Sequence, residues 1–162
     1  MAETLSVTDL LPNKFEPKRT YRWVLAIEGS DAFLIADAAR PTFKIGDKKI
    51  DFINSYRNIA GKLTFNDMTV KLHDPIAPSG AQQVMEWIRT HYESVSGRAG
   101  YADFYKRDIQ LKMLDPVGTV IELWDIKGAQ LTSADFGTLS YGNEEVQMIT
   151  LNVKYDNCVL QF

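Results

Sequence analysis

With 162 residues, 45% of them hydrophobic, the chain is long enough for one domain with a substantial core and too apolar to stay disordered. Its net charge of −3 argues against an autonomous nucleic-acid binder, which carries a basic stripe to displace counterions, but leaves room for a surface that nucleic acid slides past. The single cysteine, Cys158, excludes an intrachain disulfide, and no run is apolar for long enough to form a membrane-crossing helix.

Residues 1–19 are polar, hold Pro12 and Pro17, and mix Lys14, Glu16, Lys18 and Arg19. They read as an N-terminal arm without regular structure of its own, either a frayed end or a segment that orders on a neighbouring subunit. The opening carries an early acid, Glu3, and no apolar run. No signal peptide is therefore expected, and the default location is the cytoplasm of the cell that makes the protein. The remainder, residues 20–162, offers no linker or repeat that would divide it.

Tyr21, Trp23, Leu25 and Ile27 alternate with Arg22, Val24, Ala26 and Glu28, the period of a strand. Gly29-Ser30-Asp31 reads as a turn, and residues 33–38 as the returning strand of a hairpin. After Arg40-Pro41, Phe43 and Ile45, then Ile50 and Phe52, flank Gly46-Asp47-Lys48-Lys49. This predicts a second hairpin or a protruding loop, carrying large apolar groups on a polar segment. Residues 54–61 read as polar and turn-rich, and residues 63–73 as extended, with Met68, Val70 and Leu72 on one face.

One helix is legible. Ser79 stands at an N-cap with Gln82 at capping-box spacing, and Ala81, Val84, Met85, Ile88 and Tyr92 recur on one side. Residues 94–100, with two glycines, end it. Ile109, Leu111 and Met113 then mark a strand, Asp115-Pro116-Val117-Gly118 a tight turn, and residues 119–126 a strand covered on both faces. Residues 128–142 read as loop or irregular strand. Residues 146–155 alternate most cleanly, with Ile149, Leu151, Val153 and Tyr155 on one side. Seven or eight strands and one good helix predict a mainly β fold: a barrel or sandwich of antiparallel strands with one packed α-helix.

The sequence offers little catalytic chemistry. His73 and His91 lack a second ligand at metal spacing, and Cys158 has no redox motif. Ser96-Gly97-Arg98-Ala99-Gly100 follows a helix, so helix N-terminal amides would not point at a bound anion. Asp74, Glu144 and Glu145 are acids with no visible partner. There is no P-loop, no dinucleotide fingerprint and no nucleophile elbow. The expectation is a non-enzyme with no cofactor and no metal.

Three segments together carry a resemblance. They are Asn58-Ile59-Ala60-Gly61-Lys62-Leu63-Thr64-Phe65-Asn66-Asp67-Met68-Thr69-Val70-Lys71-Leu72, the helix centre Val84-Met85-Glu86-Trp87-Ile88, and Gly142-Asn143-Glu144-Glu145-Val146-Gln147-Met148-Ile149-Thr150-Leu151-Asn152-Val153-Lys154-Tyr155-Asp156. In that order and at those separations the chain resembles the tail tube proteins of contractile-tailed phages, a family related in fold to the Hcp tubes of type VI secretion. The likeness runs from about Tyr21 to Asp156. It departs after Lys127-Gly128, where the family often has a Trp-Pro-like element and this chain has Ala129-Gln130-Leu131.

The resemblance implies homo-hexameric rings, joined sheet edge to sheet edge and stacked into a tube inside a contractile sheath. It implies partners in the tail sheath protein, the baseplate and the tail-terminator proteins, with tape-measure protein and DNA passing through the lumen without specific binding, and no membrane. The implied location is the virion tail, assembled in the host cytoplasm. Residues 40–60 would form the ring-stacking loop, with Phe43, Ile45, Asp47, Lys48, Lys49, Ile50 and Phe52 as its contact residues. The lumen candidates are Thr69, Lys71, Asp108, Gln110, Lys112, Thr150, Asn152 and Lys154, on polar faces opposite core residues; in a monomer they would be the solvated surface. Three alternatives stay open: the tube of an injection or secretion machine with protein cargo, a monomeric ligand-binding β-barrel with an apolar pocket, and an enzyme with an unrecognised site.

Overall fold

A computed structural model describes residues 14–30 and 32–162. The expected arm therefore lies mostly outside the described residues; of it, residues 14–19 are seen, exposed and without strand or helix.

Among the described residues the order is β1 (Trp23–Ile27), a 3-10 turn (Ala32–Leu34), β2 (Ile35–Ala38), β3 (Phe43–Phe52), β4 (Ser55–Phe65), β5 (Met68–His73), α1 (Gly80–His91), α2 (Ala102–Tyr105), β6 (Arg107–Leu114), β7 (Val120–Asp135), β8 (Met148–Lys154) and β9 (Asn157–Leu160). Six strands form one continuous antiparallel path, β1-β6-β7-β8-β5-β2, and β9, beside β7, makes the seventh. β7 is long enough to serve two sheets. Its first half pairs with β6 and β9, and its second half with β8. It turns between them at Gly128, whose φ of +67° suits glycine and where a Cβ would collide with the Asp156 carboxylate.

The inner faces of both sheets meet in a single core. β5 contributes Met68, Val70 and Leu72, β8 contributes Ile149, Leu151 and Val153, and β1 and β6 contribute Leu25, Ile27, Ile109 and Leu111. These are the residues that strict alternation assigned inward, and each buried side chain of this size contributes roughly 1.5–3 kcal/mol. α1 closes one side of the core with Val84 and Trp87. Trp87 is the anchor that the predicted stripe omitted, while Tyr92, included in that stripe, is half exposed. The Trp87 indole N–H donates to the Tyr105 carbonyl at 2.7 Å, which ties α1 to α2. The helix start is as predicted: Ser79 accepts from the Gln82 N–H. Asp74 caps a second orphan donor, the Ala81 N–H, at 3.2 Å.

Several connections differ from the sequence expectation. β1 and β2 do not form a hairpin; β1 pairs with β6 and β2 with β5. As the two ends of the path they remain unpaired with each other, so the barrel is not closed. β3 runs straight through Gly46-Asp47-Lys48-Lys49, and the turn falls at Ile53-Asn54 instead. Residues 55–61, expected as loop, are the first part of β4. Of the two readings of residues 128–142, loop or irregular strand, the strand holds through residue 135 as the second half of β7, while β9 and α2 have no counterpart in the sequence expectation.

Candidate assembly surfaces

β3 and β4 pair only with each other and form a two-stranded ribbon. At about 3.3 Å per residue it reaches roughly 30 Å. Apart from Gly46 in β3 and Phe65 in β4, every residue of both strands is exposed. That includes Phe43, Ile45, Ile50, Phe52, Tyr56, Ile59 and Leu63. A lone ribbon is marginal in water, and its open apolar surface is of the kind that marks an interface. The expected stacking residues Phe43, Ile45, Asp47, Lys48, Lys49, Ile50 and Phe52 thus all lie on one strand of this ribbon, not on a loop.

The ribbon changes its apolar face along its length. Ile45 pairs with Leu63 but Asp47 with Ala60, so β4 carries one extra residue there, next to the close approach of Gly46 and Gly61. Opposed residues share a face. At the root the apolar face holds Phe43, Ile45, Leu63 and Phe65. Beyond the bulge that face becomes mostly polar, with Asp47, Lys49, Asn58 and Asp51 beside Ala60 and Tyr56. The other face then carries Lys48 beside Ile59, Ile50 beside Arg57, and Phe52. At the tip Ile53 is fully exposed at φ +44°, a left-handed conformation that β-branched residues rarely adopt. Sequence reasoning missed Ile53, Tyr56, Ile59 and Leu63; the symmetry of apolar positions about Ile53-Asn54 was the available signal.

The root is held firmly. Tyr155 packs on Phe65 with ring centroids 5.5 Å apart and donates its hydroxyl to the Thr42 carbonyl at 3.3 Å. Asn66 closes the root through its N–H to the Thr42 carbonyl at 2.9 Å and its amide to the Thr42 hydroxyl at 3.1 Å. Just before the ribbon, Arg40 donates to Glu122, a carboxylate only 3% exposed. Lys18, from the end of the arm, and the Trp124 indole donate to the same carboxylate. Burial pushes Glu122 up, but the hydrogen bonds from Lys18 and Trp124 and the charges of Arg40 and Lys18 outweigh it. The carboxyl is held below its ordinary range.

The sheet β2-β5-β8-β7 presents a polar outer face. Lys71 lies between Asp37 and Thr150, and Thr150 next to Asp135. Thr69 donates to the Asn152 side chain at 3.1 Å, which in turn donates to Ser133 at 2.8 Å. Lys154 lies opposite Gln130 on the same side. Of the lumen candidates, Thr69, Lys71, Thr150, Asn152 and Lys154 therefore share one face. Asp108, Gln110 and Lys112 stand on β6, on the outer face of the other sheet. There the Lys127 ammonium donates to Asp108 at 2.8 Å, and that hydrogen bond holds the Asp108 carboxyl below its usual range. Among the described residues, both lateral edges of the β2-β5-β8-β7 sheet are open. β2 pairs on one side only, and β6 leaves β7 at Ala129, so residues 130–135 pair only with β8.

No other grouping suggests chemistry. Among the described residues no three His, Cys, Asp or Glu side chains gather as a metal site. His91 stacks on Tyr105 at 4.4 Å between centroids. Cys158 is half-buried on β9, and burial together with the nearby Asp125 charge pushes its thiol up to about 11. Between α1 and the sheets one void, lined by Ile27, Leu34, Leu72, Val84, Trp87 and Leu151, measures about 10 Å³, too small for an enclosed ligand, and an open groove of about 270 Å³ lies where Trp87, His91 and Tyr105 face Leu131, Ala134 and Phe136.

No protein-family model matches the chain, and no curated protein matches it in sequence. Solved structures do. A chain of the anti-feeding prophage cap, the tube-terminating cap, is similar over 97% of this chain and 99% of its own, with 16% identity and a TM-score of 0.76. Two structures of the extracellular contractile injection system PVC, its sheath/tube terminator and its sheath–tube complex, match at 13% identity each. Their TM-scores are 0.75 and 0.68, with 92% and 98% of this chain and 99% of each of theirs covered. Hcp1 from Flavobacterium johnsoniae is more distant, at 8% identity and a TM-score of 0.51 over 87% of this chain and 95% of its own. The fold is therefore that of contractile-injection tube and terminator chains, and it is related to Hcp.

Proposed function

We propose that this chain is a structural subunit that closes into rings and stacks them into the inner tube of a phage-like contractile machine. The observation that carries the reading is a single sheet with two unpaired edges beside a long, exposed, partly apolar ribbon. Unpaired backbone groups on β2 of one copy find partners on residues 130–135 of the next, and the edge hazard becomes the assembly rule. Likeness of fold to chains from contractile injection systems supports this. Six copies per ring, a sheath around the tube, and a baseplate and terminator at its ends are what the resemblance to tail tube proteins adds to this reading.

In this arrangement the lumen wall is the outer face of β2-β5-β8-β7, with Thr69, Lys71, Thr150, Asn152 and Lys154. Asp108, Gln110 and Lys112 then face outward. Asp37 and Asp135 offset Lys71 and Lys154 across that wall, so it is hydrophilic without being strongly basic. DNA in a virion tail, or a protein cargo in an injection machine, would pass without being gripped.

A second reading is the terminator that caps such a tube, favoured by the likeness to the anti-feeding prophage cap. Negative-stain electron microscopy and sedimentation of the purified full chain separate these readings. Long tubes support the tube subunit, isolated rings that never stack support the cap, and a compact monomer at high concentration rejects both.

A further inference from the structure

The ribbon's far half and the loop after β7 are complementary surfaces at opposite ends of the molecule. From Phe43 to Phe65 the ribbon holds five cations, Lys44, Lys48, Lys49, Arg57 and Lys62, against two acids, Asp47 and Asp51, in a chain whose net charge is −3. Beyond the bulge, one face interleaves Lys48 and Arg57 with Ile50, Phe52 and Ile59. Residues 135–147 are the counterpart. They carry Asp135, Glu144 and Glu145 and no Lys or Arg. Leu139, Tyr141 and Val146 lie among those acids, each at least 75% exposed.

The two surfaces cannot meet within one copy as it is folded. The ribbon returns to the sheet at Met68, the first residue of β5, which pairs with Val153. The loop departs from the opposite end of the same strands, where His73 pairs with Met148 and Asp135 with Thr150. Among the described residues nothing packs over the ribbon beyond its root, where Tyr155 meets Phe65. A patch at one end that matches a patch at the other is a head-to-tail contact, which generates an open stack when repeated.

We propose that the ribbon's tip face, led by Lys48, Ile50, Phe52 and Arg57, seats on residues 135–147 of a copy in the next ring, with Glu144 and Glu145 pairing its cations. This assignment rests on the tube reading above and names the surface that receives the stacking ribbon. The root face, Phe43 with Ile45 and Leu63, points the other way and is left for a different neighbour.

Charge reversal tests it on the full chain. One variant carries Lys48→Glu with Arg57→Glu, the other Glu144→Lys with Glu145→Lys. All four positions are exposed, and circular dichroism checks that both variants fold. Each alone sets like charges against each other across the stack, and the pelleted fraction should fall roughly tenfold or more while rings persist in micrographs. An equimolar mixture should recover tubes, because rings of the two variants then alternate with opposite charges in contact. Single variants that stack like wild type, or a mixture that stays as rings, overturn the proposal while leaving the tube reading intact. Wild type that forms neither rings nor tubes overturns both.

Discussion

Glu122 is a buried carboxylate, 3% exposed, that no sequence pattern marks out. Burying a carboxylate is costly unless it is paired, and here Lys18, Arg40 and the Trp124 indole all donate to it. The residue thereby ties the end of the arm to the segment that launches the ribbon. Lys18 and Arg40 are about half exposed, so water screens part of the attraction. Glu122→Gln is expected to cost about 1–3 kcal/mol, a fall in Tm of roughly 3–9 °C, with faster proteolysis around residues 14–22. The folded carboxyl lies below its ordinary value, so its stabilisation is complete above the unfolded pKa and is lost as pH falls through the folded one. The gap in Tm between wild type and Glu122→Gln should therefore be full at neutral pH and shrink below about pH 4.5. A gap independent of pH would remove the charge from the account.

At the scale of elements, the ribbon explains itself by what it lacks. Its strands satisfy one another's inner backbone groups but leave Phe43, Ile45 and Leu63 exposed on the root face, where only Phe65 is packed among the described residues. Phe43→Asp or Ile45→Asp should leave the fold within about 0.5 kcal/mol of wild type, because the sites are exposed. The same changes should block tube growth, read as the length distribution in micrographs. Normal-length tubes would remove the root face from assembly. Sequence reasoning found these apolar residues but misplaced their turn. Gly46-Asp47-Lys48-Lys49 has the composition of a turn, yet β4 offers it a partner along its whole length, and pairing outweighs local preference. Gly46 instead marks a bulge opposite Gly61, and an isoleucine occupies the strained turn.

Across the whole molecule, the two open margins of the β2-β5-β8-β7 sheet are where neighbouring copies would join in the proposed ring. Among the described residues, no strand pairs with the outer side of either margin. Hydrogen exchange at β2 and at residues 130–135 should be fast in dilute protein and slow by roughly tenfold or more in assembled tubes. The core amides of β5 and β8, paired on both sides already, should change little. Equal exchange at the margins in both states would mean that rings close through some other contact.

Period-two alternation in β1, β5, β6 and β8, and the Ser79 cap with its helix, were fixed by local chemistry and so could be read directly: side chains at i and i+2 must share a face, and a helix start needs an acceptor for its free N–H groups. The polar rows were legible for the same reason, but not which of them belong together. That depended on β7 crossing between two sheets at Gly128, on β1 and β2 choosing distant partners over each other, and on Glu122 drawing in cations from positions 18 and 40. Those outcomes come from which surfaces bury best against one another, a property of the assembled chain that no stretch of sequence carries alone.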